Sequence, residues 1–166
     1  MNKINLKNFY LNLVIILVVF IFDRTTKLYI LKLAEVETSV DIYITPFLNL
    51  FLIWNKGIAF GLFSIDGSVI YNFITILIGL IITAILFIML KSNNIRRYFF
   101  AFIAGGAFGN FYDRIVYTAV PDFIDLHFNG FHWFVFNVAD IFISIGIFCL
   151  ILVEVFNNNR INNEKN

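Results

Sequence analysis

Two aspartates are the residues of this sequence with the clearest potential for chemistry. Asp140 lies in VFNVADIFIS, at the head of a long apolar segment, and Asp122 lies in AVPDFIDLHF eighteen residues earlier. A charged side chain at the centre of a membrane-spanning helix costs roughly 2.5–3.5 kcal/mol, so it is expected to have a function. Two carboxylates held close together share a proton because both cannot ionise cheaply. Such a pair can activate a water molecule and protonate a peptide carbonyl or a leaving amine.

Other polar side chains stand at helical spacing within apolar segments. Asn137 and Asp140 are three residues apart, so both point to the same side of a helix. Asp23 and Lys27, in the first apolar segment, are four residues apart and could form an ion pair. That pair could support a site, or it could only fix the depth of its helix in a membrane. The sequence leaves both interpretations open.

A glycine-rich segment, GGAFGNFYDR at residues 105–114, combines close packing with polar groups. Gly105 and Gly109 form a G-x-x-x-G pattern, which lets another helix approach closely. The polar residues share helical faces with the glycines: Gly106, Asn110 and Asp113 on one face, and Asn110 with Arg114 one turn later. The segment predicts a lined polar site near the outer surface. Its arginine could instead pair only with the neighbouring aspartate and reach lipid headgroups.

Metal-dependent and nucleophilic chemistry have weaker signals. The residues that could be assembled into a metal site are Asp122, Asp125, His127 and His132. Because the chain has neither an H-E-x-x-H helix motif nor a C-x-x-C motif, we expect no metal and no cofactor. No serine has a histidine nearby in sequence, and Cys149 lies in an apolar run where it is expected to pack as a small hydrophobic residue.

The composition indicates the class of protein. The chain has 166 residues, of which 60% are hydrophobic and 14% charged, and its mean hydropathy is +0.86. Soluble domains have about 45–50% apolar and about 25% charged residues. A soluble chain of this length could not bury so much apolar surface, so we expect a lipid bilayer as its solvent. The net charge of +1 argues against nucleic acid as a partner, because phosphate binding needs a concentrated basic face.

Four apolar segments are long enough to cross a bilayer, at residues about 9–33, 68–90, 98–117 and 133–155. Lysines and arginines concentrate at both ends of the chain and in the turn between the second and third segments, whereas the other connectors are mostly acidic. The positive-inside bias therefore predicts cytoplasmic termini and two outward-facing acidic connectors. A small transporter or proton-coupled carrier would also explain intramembrane charge, but more spans, repeats or broken helices would be expected.

The first outer connector, residues about 34–67, has the pattern of strands. VDIYI (40–44) and FLNLFLIW (47–54) are rich in β-branched and aromatic residues, and Asn55–Gly57 is typical of a turn. We expect a single membrane domain over residues 1–166. The predicted fold is an all-α membrane protein, a bundle of four transmembrane helices with a small β-rich extracytoplasmic subdomain.

Five sequence blocks, spread over nearly the whole chain, resemble those of the lipoprotein signal peptidases, the type II signal peptidase family of bacteria. DRTTK (23–27) resembles the family's D-x-x-x-K, and NKGIAFG (55–61) resembles N-x-G-x-A-F-G. GGAFGNFYDR (105–114), VPDFIDL (120–126) and FNVAD (136–140) resemble the G-G-x-x-G-N-x-x-D-R, V-x-D-F and F-N-x-A-D blocks. Each block alone is a weak signal, but chance does not account for five in the family's order.

The resemblance implies a membrane aspartyl endopeptidase that removes the signal peptide from prolipoproteins, cutting before a cysteine that bears a diacylglyceryl group. Asp122 and Asp140 match the family's catalytic pair. The positions that match its active-site lining are Asn55, Gly57, Asn110, Arg114 and Asn137, and the supporting positions are Asp23, Lys27, Gly105, Gly106, Gly109 and Asp113. Asp125 occupies a position that varies in the family, so it is expected to be a supporting or surface acid.

The resemblance also implies a location and partners. We expect a monomer in the bacterial cytoplasmic membrane, with an outward-facing active site, prolipoprotein substrates and contact with membrane lipid. Gly57 and Gly61 would let the NKGIAFG segment lie close over the cleft or move there, although a rigid turn is the alternative. The chain departs from the family pattern at Arg24, where glutamine is usual, and at Pro121, which fixes the backbone before Asp122.

Overall fold

The computed structural model describes residues 6–37, 39–57, 68–128 and 131–163. Within these ranges, helices and strands follow one another in the order α1 (Leu6–Glu37), β1 (Asp41–Thr45), β2 (Leu48–Asn55), α2 (Ser68–Lys91), α3 (Arg96–Tyr117), β3 (Val120–Phe128), β4 (Phe131–Phe136) and α4 (Val138–Asn163). The described chain is therefore mostly helical and carries one small antiparallel sheet.

Three helical segments in the described part of the chain are long and apolar enough to cross a membrane: Leu6–Val36, Val69–Lys91 and Val138–Asn157. The remaining predicted span is also helical, and the 22 residues of α3 would extend over about 33 Å. Helix α3 is more polar than the others because it begins with two arginines and carries Asp113 and Arg114 near its end. The count of four membrane-spanning helices stays a prediction.

Large apolar side chains on the other three helices face away from the protein interior. Tyr10 on α1, Val69 and Phe73 on α2, and Phe148 and Phe156 on α4 are all more than half exposed. Water penalises exposed apolar surface, whereas the hydrocarbon of a bilayer does not. Together with the apolar composition, this makes the chain a multi-pass membrane protein.

Helix α3 packs against α1, α2 and α4, and glycines make the close contacts possible. A Cβ atom at Gly105 would lie 2.8 Å from Val19 Cβ of α1. A Cβ atom at Gly106 would lie 2.5 Å from the carbonyl oxygen of Ala139 in α4. Neither distance is sterically possible, so only glycine lets the three helices approach this closely. The contact at Gly106 fixes the position of the first turn of α4.

The strands lie in the order β1-β2-β3-β4, each antiparallel to its neighbour. Strands β1 and β2 correspond to the two strands expected in the first outer connector. Strands β3 and β4 come from residues 120–136, whose sequence pattern predicts the second connector and the start of the fourth span. These residues are rich in β-branched and aromatic types, and the pairing of β3 with β2 and of β4 with β3 satisfies backbone groups of both strands. Helix α4 consequently begins only at Val138.

Proline is tolerated in β3 because this strand is paired on one side only near its start. Pro121 pairs with β2 at Trp54, but the pairing of β3 with β4 begins at Ile124. The missing N–H of proline is therefore not needed on the second side. A register shift in β2 lies between Leu50 and Ile53, directly before the position that faces Asp122. Irregularities of this kind locally redirect side chains and are frequent beside active sites.

Candidate active site

Asn137 and Asp140 together form the start of α4. Asn137 Oδ1 accepts the backbone N–H of Asp140 at 3.2 Å, and Asp140 Oδ2 accepts the backbone N–H of Asn137 at 3.1 Å. This reciprocal pair is a capping box, which supplies partners to N–H groups that a helix N-terminus leaves unpaired. The carboxylate also lies at the positive end of the helix dipole. Asp140 therefore has a structural reason to stand at the head of an apolar segment.

Asp122 lies in β3 beside this helix start and is held by two side-chain amides. Asn137 Nδ2 donates to Asp122 Oδ1 at 2.5 Å, and Asn55 Nδ2 donates to Asp122 Oδ2 at 2.8 Å. The residue is only 3% exposed. The pKa of Asp122 is raised to about 6, first by burial and then by the negative charge of Asp140, while the two amide hydrogen bonds act to lower it. Asn137 thus bonds to both aspartates.

Hydrogen bonds to their oxygens fix the orientation of the other two amides. Asn55 Oδ1 accepts the backbone N–H of Gly57 at 2.8 Å, and Asn110 Oδ1 accepts Lys27 Nζ at 2.7 Å. The amide nitrogens must therefore point the other way. The nitrogen of Asn110 donates to Asp140 Oδ1 at 2.8 Å, as that of Asn55 does to the other aspartate. Each oxygen of the two carboxylates thus accepts one hydrogen bond. The donor is in every case an N–H group whose orientation is fixed.

A buried cluster of four charges stands next to these amides. Lys27 Nζ lies 2.9 Å from Asp23 Oδ2 and 2.7 Å from Asp113 Oδ2. Arg24 Nη2 lies 2.6 Å from Asp113 Oδ1. All four residues are buried. Because two positive charges balance two negative ones, the cluster avoids the large penalty of an uncompensated charge in the interior.

The charge cluster contacts both α4 and one of the amides. Asp23 Oδ1 accepts the backbone N–H of Ala139 at 3.0 Å, which is another of the unpaired groups at the start of α4. Lys27 supplies the hydrogen bond that orients Asn110. A Cβ atom at Gly109 would overlap the carboxylate of Asp23, so the glycine leaves room for it. The Asp23–Lys27 pair therefore does more than set the depth of α1, because it positions groups that bond to Asp140.

Arg114 connects α3 to the turn after β2. Its Nη2 donates to the carbonyl oxygen of Gly57 at 2.6 Å, and its Nη1 donates to the carbonyl oxygen of Asn110 at 3.3 Å. The residue is buried, and Asp113 pairs with α1 instead. The alternative in which Arg114 pairs only with Asp113 and extends to lipid headgroups does not describe this structure.

An apolar cavity of about 300 Å³ opens beside Asp140. Its lining includes Leu126 of β3, Phe136 of β4 and Ile141 of α4, with Ser144 as its second polar residue. A cavity with this lining favours an apolar occupant. It places such an occupant directly against one carboxylate of the pair.

The structure thus brings most of the expected site residues into one connected set: Asp23, Lys27, Asn55, Gly57, Gly109, Asn110, Asp113, Arg114, Asp122, Asn137 and Asp140. Gly105 and Gly106 lie instead at the contacts of α3 with α1 and α4. Sequence reasoning missed Arg24, whose ion pair with Asp113 crosses between two helices and leaves no local signal. It also missed the capping box, although the N-x-x-D spacing at residues 137–140 is a signal for one.

Asp125 lies apart from the aspartate pair. It is three residues after Asp122 on β3, and because side chains alternate along a strand the two point to opposite faces. Asp125 is buried and lies against His127 and His132. The set of four metal ligands considered from the sequence is therefore divided, since Asp122 belongs to the other face. The expected covering role of NKGIAFG cannot be followed past Gly57, because residues 58–67 lie outside the described residues.

Comparisons with known proteins agree on one family. Residues 15–156 match the family model described as signal peptidase (SPase) II. The chain is 90% identical over 166 residues to the lipoprotein signal peptidase of Pelagibacter ubique (strain HTCC1062), with all of both chains covered. It is 40% identical over 160 residues to the lipoprotein signal peptidase of Aquifex aeolicus (strain VF5), covering 95% of this chain and 93% of that one.

Solved structures share the fold. A bacterial membrane enzyme determined by the in meso method at 2.3 Å resolution superposes with a TM-score of 0.76 at 28% sequence identity, covering 90% of each chain. A second bacterial membrane enzyme determined by the same method, at 1.9 Å resolution, gives a TM-score of 0.69 over 86% of this chain and 90% of that one.

Proposed function

The chain belongs to the signal peptidase II family of lipoprotein signal peptidases, and from this membership we propose that it cuts prolipoproteins directly before a diacylglyceryl-modified cysteine, using Asp122 and Asp140 as an aspartate dyad. The membership disfavours the transporter alternative. The intramembrane charges that motivated this alternative are paired with one another and with the site amides.

The observation that carries the proposal is the position of Asn137 between the two carboxylates. It donates its amide to Asp122 while exchanging hydrogen bonds with Asp140. The raised pKa of Asp122, about 6, has the negative charge of Asp140 as its second cause. Two acids that influence each other in this way hold one shared proton over a range of pH.

One ionised and one neutral carboxyl group supply both halves of peptide hydrolysis. The ionised carboxylate takes a proton from a water molecule as the water oxygen bonds to the scissile carbonyl carbon. The neutral carboxyl group gives its proton to the carbonyl oxygen, so that a neutral tetrahedral intermediate forms. As this intermediate collapses, the C–N bond breaks and the leaving nitrogen takes a proton from the carboxyl group that was protonated by water. A hydroxyl group of the intermediate gives its proton to the other, now ionised, carboxylate as the product carbonyl forms, so the pair again holds one proton. Each aspartate ends in a state from which the next cycle can start.

The proposed substrate fits the surroundings of the dyad. A signal peptide is an apolar segment, and the lipidated cysteine adds acyl chains, so both ends of the scissile region favour hydrocarbon. The apolar cavity beside Asp140 supports this assignment because it offers an apolar occupant access to a carboxylate. We place the dyad at the outer boundary of the bacterial cytoplasmic membrane, with both termini in the cytoplasm, and expect a monomer in contact with lipid.

The remaining site residues support the dyad by holding its partners in place. Lys27 and Asp23 connect α1 to Asn110 and to the first turn of α4. Arg114 holds the carbonyl group of Gly57, whose N–H orients Asn55. Prepositioned donors of this kind do not have to reorganise when charge moves during the reaction.

The test is cleavage of a diacylglyceryl-modified prolipoprotein peptide by the purified protein in excess EDTA. Asp140→Asn is measured beside the wild type, and Asp41→Asn serves as the control because Asp41 is an exposed acid on β1. We expect cleavage by the wild type and by Asp41→Asn, and none by Asp140→Asn. Normal cleavage by Asp140→Asn would refute the dyad. Absence of cleavage by intact wild type, with and without EDTA, would refute the proposed substrate.

A further inference from the structure

We propose that Asp125, His127 and His132 bind a divalent transition-metal cation of the Zn²⁺ class, at a site separate from the aspartate dyad. The three residues come from β3 and β4. His127 and His132 are directly opposite each other in the antiparallel pairing of these strands, so their side chains lie on one face of the sheet. Asp125 precedes His127 by two residues and shares that face.

The geometry of the cluster suits a single cation. One possible ligand atom from each residue lies within 4.8 Å of the other two. His132 Nδ1 is 2.8 Å from Asp125 Oδ2, and His127 Nδ1 is 3.7 Å from the same oxygen. Zinc bonds nitrogen and carboxylate oxygen at about 2.0–2.2 Å, so ligands of one tetrahedral ion lie about 3–4 Å apart. Small rotations of the side chains bring the three donors to that spacing.

Burial and unpaired atoms point to a ligand rather than to a hydrogen-bonded pair alone. Asp125 is only 2% exposed. Among the described residues, Asp125 Oδ1 and His127 Nδ1 are both buried and have no hydrogen-bond partner. A buried carboxylate with an unpaired oxygen is costly. A dication bonded to the carboxylate and to both rings would satisfy these atoms together.

The donor set determines the kind of metal. Two imidazoles and one carboxylate favour zinc and related transition metals, whereas Mg²⁺ and Ca²⁺ prefer all-oxygen sites. Because His132 is 60% exposed, water can occupy a fourth position. Since the ligands belong to two strands, the bound ion would crosslink β3 to β4, the strand that directly precedes Asn137. The cluster lies on the face of β3 opposite Asp122, so the cation has no part in the chemistry of the dyad.

The experiment measures metal binding directly and does not depend on cleavage. Full-length protein without a histidine tag is purified in detergent, treated with EDTA and dialysed, and Zn²⁺ is then titrated in competition with a chromophoric chelator. We expect one Zn²⁺ per chain. His132→Ala should weaken binding more than about tenfold, since even indirect partners of metal ligands contribute about 10–100-fold. His132 is largely exposed, so this variant should fold.

Two controls separate the cluster from other binding. Asp125→Asn should also weaken Zn²⁺ binding, whereas Asp41→Asn, at an exposed acid on β1, should bind as the wild type does. Co²⁺ should give visible absorption bands that His132→Ala lacks. The proposal is overturned if wild-type protein takes up no Zn²⁺ in the micromolar range. It is equally overturned if His132→Ala binds as tightly as the wild type, or if Mg²⁺ displaces Zn²⁺.

Discussion

The side chains of Asn137 and Asp140 each accept the other's backbone N–H, so one of the two proposed catalytic acids is also part of the cap of its helix. The same asparagine donates its amide to Asp122. A residue that caps a helix cannot move without disturbing the helix start. The helix cap therefore holds Asp140 in place, and the amide of Asn137 holds Asp122 beside it.

Replacing Asn137 separates its capping role from its role at the dyad. Asn137→Ala should reduce the free energy of unfolding by about 1 kcal/mol, because the helix loses its cap. It should also slow cleavage by at least about tenfold, because Asp122 loses a donor. Asn137→Ser should recover the stability, since serine caps helices well, but its short side chain cannot also reach Asp122. Thermal unfolding in detergent and cleavage rate are the two measurements. Full recovery of cleavage in the serine variant would show that Asn137 acts only as a helix cap and has no role at the dyad.

Asp122→Asn should lower cleavage by at least about 100-fold, the size of a lost general acid or base, while the protein stays folded. The comparison is Asp125→Asn, on the opposite face of β3, which should retain far more activity. Initial rates are measured for both variants at matched amounts of folded protein. Equal losses in the two variants would contradict the assignment of Asp122.

Asn55→Ala should change the pH dependence of cleavage. The amide of Asn55 stabilises the ionised form of Asp122 and so acts to lower its pKa from the raised value of about 6. Without that bond the pKa rises further, and the shared proton is retained to higher pH. The alkaline limb of the pH–rate profile should therefore shift to higher pH. Asn49→Ala, on the same strand but opposite Asp125, should leave the profile unchanged. A shift to lower pH in the Asn55 variant would contradict this account.

Gly106→Ala tests the close approach of α3 and α4. The new methyl group would clash with the carbonyl oxygen of Ala139, a backbone atom that cannot move away by a side-chain rotation. We expect a loss of about 1–3 kcal/mol of stability and reduced cleavage, since α4 carries Asp140. Gly79→Ala is the matched control, because its methyl group would meet only the movable ring of Phe111 at 3.3 Å. Similar unfolding temperatures for the two variants would show that the approach is not tight.

Arg114→Ala should weaken both folding and the handling of substrate. Removing the guanidinium leaves the buried carbonyl group of Gly57 without its donor, at an expected cost of about 1–3 kcal/mol. The turn after β2 then loses its anchor, so KM should rise as kcat falls. Arg114→Lys should recover part of each loss because an ammonium group reaches one carbonyl but not two. If the lost cleavage equals the lost fraction of folded protein in both variants, Arg114 is structural only.

The sequence by itself determined that this is a membrane protein and which family it belongs to. Apolar composition and the length of the apolar runs identified a membrane protein, since these are sums over residues and need no knowledge of contacts. Helical spacing related Asn110 to Arg114 and Asn137 to Asp140, because residues three or four apart share a face whatever surrounds them. The five blocks gave the family, which the comparisons confirmed.

Only the tertiary structure decided which of these groups meet. Asp113 could have paired with its neighbour Arg114, yet it pairs with Lys27 and Arg24 of another helix. The sequence pattern predicts that residues 133–136 begin the fourth membrane span, yet they belong to strand β4 because β3 offers them hydrogen bonds. Choices of this kind depend on partners far away in the sequence. The local sequence pattern determines which face of a helix or strand is polar. The energetic cost of a buried charge or of an unpaired N–H group depends instead on the residues that pack against it in the folded chain.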